Sequence, residues 1–336
     1  MRSLLRYRSH TLRPYVILAI VAIAFALLPV FDSNATISQQ NIYDVLQILA
    51  GVGIVTLALG LTMIAGEFDL SVSSTFLLGG MIAVLTGVDS PVLGVVYAVG
   101  AGIVVGLVQG VTIAKLRMES MTVTLGGFIA LLGVVFVISN SQSISYANAA
   151  VGAHLDAHVL SIFSIRILIG IGIFAFSGLF LATTLVGRDL RAVGSDRKSS
   201  RTAGVRVDWI LIAVFVASGS LATFAGSLQA YSLAYATPDR TVAPLIFATT
   251  AALLGGVPLS GGRGDPFGIA AGVLTLALIG EGLVILATPD YVNSLVTGGL
   301  LLLVVLMDAP DLLRWVKSYR STRLAPGPVS EEAAHV

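Results

Sequence analysis

The chain has 336 residues, of which 56% are hydrophobic and only 11% are charged; its net charge is +1 and it contains no cysteine. About a quarter of the residues of a typical soluble domain are charged, so this composition excludes an ordinary soluble fold. The absence of cysteine excludes disulfides, thiol catalysis and cysteine-bound metals. The apolar segments are continuous rather than alternating, which favours helices over a membrane β-barrel. We therefore predict an all-α fold, a polytopic transmembrane helix bundle.

A basic N-terminal segment, residues 1–13, precedes ten apolar runs. The runs cover 14–31, 45–65, 75–88, 91–114, 122–139, 162–185, 209–230, 242–255, 267–287 and 292–307. With both termini in the cytoplasm, seventeen of the nineteen Lys and Arg residues lie inside, and only Arg166 and Arg240 lie outside. Cytoplasmic loops carry the excess of Lys and Arg, so this distribution favours about ten spans. We predict a transmembrane domain over 14–308 and a disordered cytoplasmic tail over 309–336.

Two interruptions break the apolar pattern, at 66–74 and 255–266. Each follows an outside-to-inside run, which indicates a two-half internal repeat; chance similarity between glycine-rich apolar segments is the alternative. Three glycines of the second interruption are interpreted as a cytoplasmic turn: Gly261, Gly262 and Gly264. Residues 259–262 read L-S-G-G, like the opening of the ATPase signature, but the chain lacks the G-x-x-x-x-G-K-[ST] loop that binds nucleotide phosphates. We predict that this chain is not an enzyme and binds no cofactor.

Three carboxylates have apolar surroundings: Glu67, Asp69 and Glu281. Carboxylates inside a membrane are costly and often functional, so a role in a solute pathway or gate is one interpretation. In the alternatives, Glu67 and Asp69 lie at the cytoplasmic interface, where they are solvated, cap the next helix at its N-terminus or make a structural pair. Glu281 makes a structural hydrogen bond or faces water.

A polar stretch at 140–161 contains His154, Asp156 and His158. The two histidines have i, i+4 spacing, but a metal site needs a third ligand and a helix. We predict a solvated external loop and no metal site.

The longest charged stretch between two apolar runs is residues 187–208, here called the basic loop. Its six Lys and Arg residues place it in the cytoplasm. That sidedness does not explain its small residues, at 192–194 and 203–204, which permit a short helix to seat closely in a groove. We predict that a soluble partner binds here.

Four motifs resemble those of ribose-type, monosaccharide ABC importer permeases. Residues 66–74 (GEFDLSVSS) are similar to G-G-x-D-L-S-V-G-S, and 123–127 (VTLGG) to V-T-L-G-T. Residues 192–205 resemble A-x-G…A-A-x-R-x-S-G-[IV], and 254–264 resemble L-G-G-x-S-x-x-G-G-x-G. The motifs occur in order over about 45–308. The chain departs from them at five places: Glu67, Phe68, Ser73, Leu132 and 198–200.

The resemblance implies a multi-pass permease of the bacterial inner membrane, paired with a second copy or a paralogue. A cytosolic ABC ATPase would bind ATP and Mg²⁺, an extracytoplasmic binding protein would deliver a monosaccharide, and no nucleic acid would take part. Five residues of the basic loop are the candidates for coupling to the ATPase: Arg191, Ala192, Gly194, Arg201 and Gly204. Six residues are the candidates for the pathway or gate: Glu67, Asp69, Ser71, Thr124, Gly126 and Glu281.

Three alternatives to this function stay open. An ion-coupled secondary transporter would bind a proton or sodium at Glu67, Asp69 or Glu281. A related ABC permease would carry nucleosides or a furanosyl signalling molecule, and a membrane scaffold would carry nothing.

Overall fold

The computed structural model describes residues 2–31, 36–159, 161–240 and 242–308. Within these ranges seven helices are long and apolar enough to cross a membrane, and three shorter apolar helices accompany them. The predicted all-α membrane bundle is confirmed; the tail at 309–336 lies outside the described residues. The elements are α1 (Arg2–Ala26), α2 (Leu28–Phe31), α3 (Gln39–Ala50), α4 (Val52–Ile64), α5 (Val72–Thr86), α6 (Pro91–Leu116), α7 (Ser120–Ile138), β1 (Ile144–Ser145), α8 (Ala150–Leu155), α9 (Ile165–Thr183), α10 (Leu185–Ser195), α11 (Arg197–Thr202), α12 (Val207–Leu233), β2 (Tyr235–Ala236), α13 (Ala243–Leu254), α14 (Pro266–Ile285) and α15 (Asp290–Asp308).

Helix α12 packs along α4, α5 and α6 and is the centre of the bundle. Small residues allow the close approach. A Cβ added to Gly226 would lie 1.9 Å from the carbonyl oxygen of Phe76 in α5, and one added to Gly102 of α6 would lie 2.3 Å from the carbonyl oxygen of Gly219. Helices in lipid associate largely through such close packing. These glycines therefore set the distances between α12 and its neighbours.

Helices α4 and α13 end in the same way. Gly66 and Gly256 follow them with φ of 76° and 83°, a conformation that glycine adopts without steric cost. In both turns the next N–H donates to a carbonyl five residues earlier, at 3.0 Å from Glu67 and 3.1 Å from Val257. This is the Schellman pattern of a helix C-terminus. The likeness of the two interruptions thus has a local cause, a shared helix ending.

The helix contacts relate the two halves in another way. Helix α5 packs on α6, α7 and α12, and α13 packs on α14, α15 and α4. By these contacts α5 corresponds to α13. The interruption at 66–74 comes before α5, whereas the interruption at 255–266 comes after α13. The internal repeat stays a prediction, with α5 and α13 as its corresponding elements.

The polar stretch at 140–161 is ordered over its described residues. Strand β1 pairs antiparallel with β2, which places Ile144 opposite Ala236. Asp156 accepts a hydrogen bond of 2.8 Å from the buried side chain of Arg166, which also donates to Gln229 of α12 at 3.1 Å. Asp156 therefore connects this segment to the bundle and is not only solvated.

Candidate functional site

The basic loop folds into two short helices, α10 and α11, instead of the single one that its sequence suggests. Asp196 separates them and caps α11, since its carboxylate accepts hydrogen bonds from the backbone N–H groups of Lys198 and Ser199. The hydroxyl of Ser199, its N–H and the Lys198 N–H hold the pKa of Asp196 below its usual range. The cap is therefore ionised at neutral pH and is stabilised by the positive end of the α11 dipole.

Three glycine-containing segments meet where α10 ends. We call this contact the glycine junction; it comprises Gly66, Gly194, Gly261 and Gly262. A Cβ added to Gly194 would lie 1.9 Å from the carbonyl oxygen of Ile64, and one added to Gly261 would lie 2.5 Å from the Cα of Gly66. The N–H of Gly262 donates to the Ile64 carbonyl at 2.9 Å. The end of α10 is thus seated directly against the backbone of both interruptions.

Two arginines of the basic loop also reach these turns. Arg191 donates to the carbonyl of Gly264 at 3.3 Å. Arg197 donates to the carbonyl of Gly66 at 3.3 Å, and its Nη2 lies 2.5 Å from Oε1 of Glu67. Glu67 is only 7% exposed. It is therefore paired with a cation. The interpretation in which Glu67 is solvated does not describe this position.

The opposite face of the basic loop is open. Ala192 is exposed, and a Cβ added to Gly204, whose φ is 89°, would meet nothing within 4 Å. Arg201 donates to Asp208 at 2.6 Å, so its guanidinium is already paired within the chain. An open, concave cavity of about 400 Å³ lies beside Gly204. It is lined by Asp189, Ala203, Gly204, Val205, Arg206, Trp209 and Ile210. The five coupling candidates therefore divide into an inward pair, Arg191 and Gly194, and an outward set, Ala192, Arg201 and Gly204.

Asp69 lies at the centre of a buried polar network. One carboxylate oxygen accepts from the N–H and hydroxyl of Ser71, at 3.0 and 2.6 Å, and the other accepts from Ser218 of α12 at 2.9 Å. Gln109 of α6 donates to the Ser71 hydroxyl at 2.8 Å. Asp69 thus holds the turn before α5, although Ser71 and not Asp69 is the N-cap residue of that helix, and it also joins this turn to α12.

Helix α7 holds the same turn from another side. The N–H of Leu70 donates to the hydroxyl of Thr124 at 3.1 Å. The Phe68 carbonyl lies 3.2 Å from the same hydroxyl, which has its nearest acceptor, the Ser120 carbonyl, at 2.7 Å. Gly126 lies on the exposed side of α7, where an added Cβ would meet nothing within 4 Å. Thr124 therefore belongs to the turn, whereas Gly126 does not.

Glu281 lies far from the glycine junction. It comes fifteen residues after the start of α14 at Pro266, roughly 22 Å along the helix. Its Oε1 accepts a hydrogen bond of 2.7 Å from Asn41 at the start of α3. This contact favours the structural interpretation of Glu281.

Among the residues described, no three His, Cys, Asp or Glu side chains are grouped so that they could hold a metal ion. His158 instead stacks on Tyr43, with ring centroids 4.2 Å apart.

Sequence reasoning did not identify Arg197, Ser218 or the pairing of Arg201 with Asp208. Arg197 is one of six basic residues in its loop and was not among the coupling candidates, and Ser218 lies in an otherwise apolar run. Their partners are remote in sequence: 131 residues separate Arg197 from Gly66, and 149 separate Ser218 from Asp69. Both contacts exist only because the helices pack as they do.

Residues 41–305 match the family model described as "Branched-chain amino acid transport system / permease component". The L-arabinose ABC transporter permease protein AraH of Azospirillum brasilense is 32% identical over 274 residues, which cover 81% of this chain and 80% of that protein. The ribose import permease protein RbsC of Escherichia coli is 28% identical over 302 residues, 87% of this chain and 91% of its own length. The xylose transport system permease protein XylH of Haemophilus influenzae is 25% identical over 370 residues, which cover 91% of this chain and 98% of that protein. No solved structure matches the chain. The chain therefore belongs to this family of transport-system permease components and is a multi-pass protein of the bacterial inner membrane.

Proposed function

We propose that the chain is the permease subunit of an ATP-driven importer that carries a monosaccharide delivered by a binding protein. A cytosolic ATPase subunit would bind the outward face of the basic loop, and a second permease copy or a paralogue would complete the transporter. The relatives named for arabinose, ribose and xylose, which the chain matches over most of its length, support a pentose or a similar sugar.

The arrangement of the basic loop carries this proposal. One face of α10 contacts the backbone of both interruptions at the glycine junction, and the other face is open beside a concave surface. A loop held in this way can pass the movement of a soluble motor to the membrane helices. A loop that served only to fix the orientation of the protein in the membrane would not need such close packing against the helices.

The buried carboxylates support the ABC permease over the ion-coupled transporter. Glu67 is paired with Arg197, Asp69 accepts three hydrogen bonds, and Glu281 accepts one from Asn41. A carboxylate that binds and releases a coupling ion must exchange its partners during each cycle. These three have protein partners already.

The energy source is tested by reconstituting the permease in liposomes with its co-purified ATPase and binding protein. We expect uptake of labelled L-arabinose, D-ribose or D-xylose to require Mg²⁺ and ATP and to persist when a protonophore collapses the proton gradient. Labelled uridine in the same assay tests the nucleoside alternative. Uptake that stops with the protonophore while ATP is constant would favour the secondary transporter.

A further inference from the structure

We propose that Glu67 and Arg197 form a charge latch that makes the basic loop and the turn after α4 move as one body. Glu67 is then a positioning residue: it contacts neither nucleotide nor solute, but it transmits movement of the basic loop to the membrane helices. The inference rests on the proposed function, because the movement that the latch transmits is that of an ATPase-driven loop.

The contact between Glu67 and Arg197 joins a buried side chain to an exposed one. The Glu67 side chain is 5% exposed and that of Arg197 is 44% exposed, and their charged atoms approach to 2.5 Å. Arg197 also donates to the carbonyl of Gly66, so a single guanidinium holds both the side chain and the backbone of this turn. Glu67 Oε1 has no hydrogen-bond partner of good geometry within the described chain, so its charge is balanced by the ion pair.

Burial makes this pair hard to separate. If Arg197 moved away, Glu67 would be a buried carboxylate without a compensating charge, which is strongly unfavourable. An exposed pair of the same length would contribute little, because water screens it. The basic loop therefore cannot move away from the turn without a large loss of stability, and the turn follows the loop.

A continuous set of contacts leads from the latch to the centre of the bundle. Asp69 is two residues beyond Glu67 in the same turn, and it accepts a hydrogen bond from Ser218 of α12 at 2.9 Å. Arg191 makes a second connection, to Gly264 in the other interruption. Movement of α10 and α11 thus reaches α12 through one turn and α14 through the other.

The latch is an addition to the motif that this chain resembles. The similar stretch of ribose-type permeases has a glycine where this chain has Glu67. Glycine offers no side chain to Arg197, so the charge pair is a feature of this sequence and not a requirement of the fold.

A double-mutant cycle tests the latch in the reconstituted complex. We expect Glu67→Gln and Arg197→Gln each to lower the amount of sugar carried per ATP hydrolysed by roughly threefold or more, with normal co-purification of the ATPase. Arg197→Gln is expected to be the more severe, since it strands the buried carboxylate. The double variant is expected to be milder than the product of the two single effects. Arg117→Gln, at an exposed position just after α6 and outside the basic loop, is the matched control and is expected to behave as wild type.

Two results would overturn the latch: an unchanged ratio of sugar to ATP in Glu67→Gln, or fully independent effects of the two changes. A failure of the wild type to take up sugar with ATP would instead overturn the proposed function.

A second measurement does not depend on transport. The chain has no cysteine, so Phe68→Cys with Lys198→Cys, each next to a latch residue, provides the only two thiols for a bismaleimide and leaves Glu67 and Arg197 in place. We expect equal cross-linking in membranes with and without ATP, since the two residues move together. Cross-linking that is lost when ATP is added to the complex would show that the contact opens in the cycle and would overturn the inference.

Discussion

At the scale of the residue, the buried polar side chains are engaged with other parts of the protein. Glu67 and Asp69, which are predicted to belong to the solute pathway or gate, have protein partners: one is paired with Arg197 and the other with Ser71 and Ser218. Ser73 differs from them, because its buried hydroxyl has no hydrogen-bond partner in the described part of the chain. Glu67 and Asp69 thus help to hold the turn after α4 in place.

Asp69→Asn tests this structural role. Asparagine removes the charge and replaces one accepting oxygen by an NH2 group, so the bond that Ser218 donates is lost and the two bonds from Ser71 no longer go to a charged group. We expect a loss of stability of about 1.5–3 kcal/mol, the usual range for a hydrogen bond to a charged group. Thermal unfolding of the detergent-purified protein measures it, with Ser218→Ala as the milder companion. Wild-type stability with impaired uptake in Asp69→Asn would return Asp69 to the pathway.

At the scale of the element, the basic loop has two faces with different tasks. Gly194 faces the membrane helices, where an added Cβ would meet the Ile64 carbonyl at 1.9 Å. Gly204 faces outward into open space, although its φ of 89° disfavours other residues. Changes at these two glycines should therefore separate seating of the loop from binding of the partner.

We expect Gly194→Ala to displace α10 and to lower uptake by roughly tenfold, about 1.4 kcal/mol, while the ATPase still co-purifies. Gly204→Glu should remove the ATPase as well, because its carboxylate would be buried unpaired in the interface. Gly204→Asn is the control for the positive φ, which asparagine tolerates, and should retain the ATPase. Pull-down and uptake on equal amounts of membrane protein measure both properties. Normal ATPase binding and transport by Gly204→Glu would exclude the outward face as the docking surface.

At the scale of the whole molecule, the bundle has two chemically different ends. The basic loop, the end of α4 and the start of α14 meet at one end, whereas Glu281 and Asn41 meet at the other. The charge distribution assigns the first end to the cytoplasm. Helix α12 connects the two ends through its contacts with Asp69 and with Arg166.

Reporter fusions test this orientation. A reporter at Ser195 should be cytoplasmic and one at Asn148 external, since these residues belong to the basic loop and to the 140–161 stretch. A reporter at Pro328, outside the described residues, should be cytoplasmic too. Alkaline phosphatase and green fluorescent protein activities give the two readings. Ser195 and Asn148 on the same side of the membrane would contradict the ten-span arrangement.

The sequence by itself determined the class of the protein, the positions of its apolar helices and the two interruptions. These properties depend on local composition: run length, continuity of apolar residues, and glycines that end helices such as α4 and α13. Only the tertiary structure decided which side chains meet. Glu67 pairs with Arg197, and Asp69 with Ser218, because α10 and α12 pack against α4, and no periodicity along the chain encodes a contact over 149 residues. The two faces of the basic loop could not be told apart for the same physical reason: Gly194 and Gly204 are equivalent in sequence until the packing of α10 places one against the Ile64 carbonyl and leaves the other open.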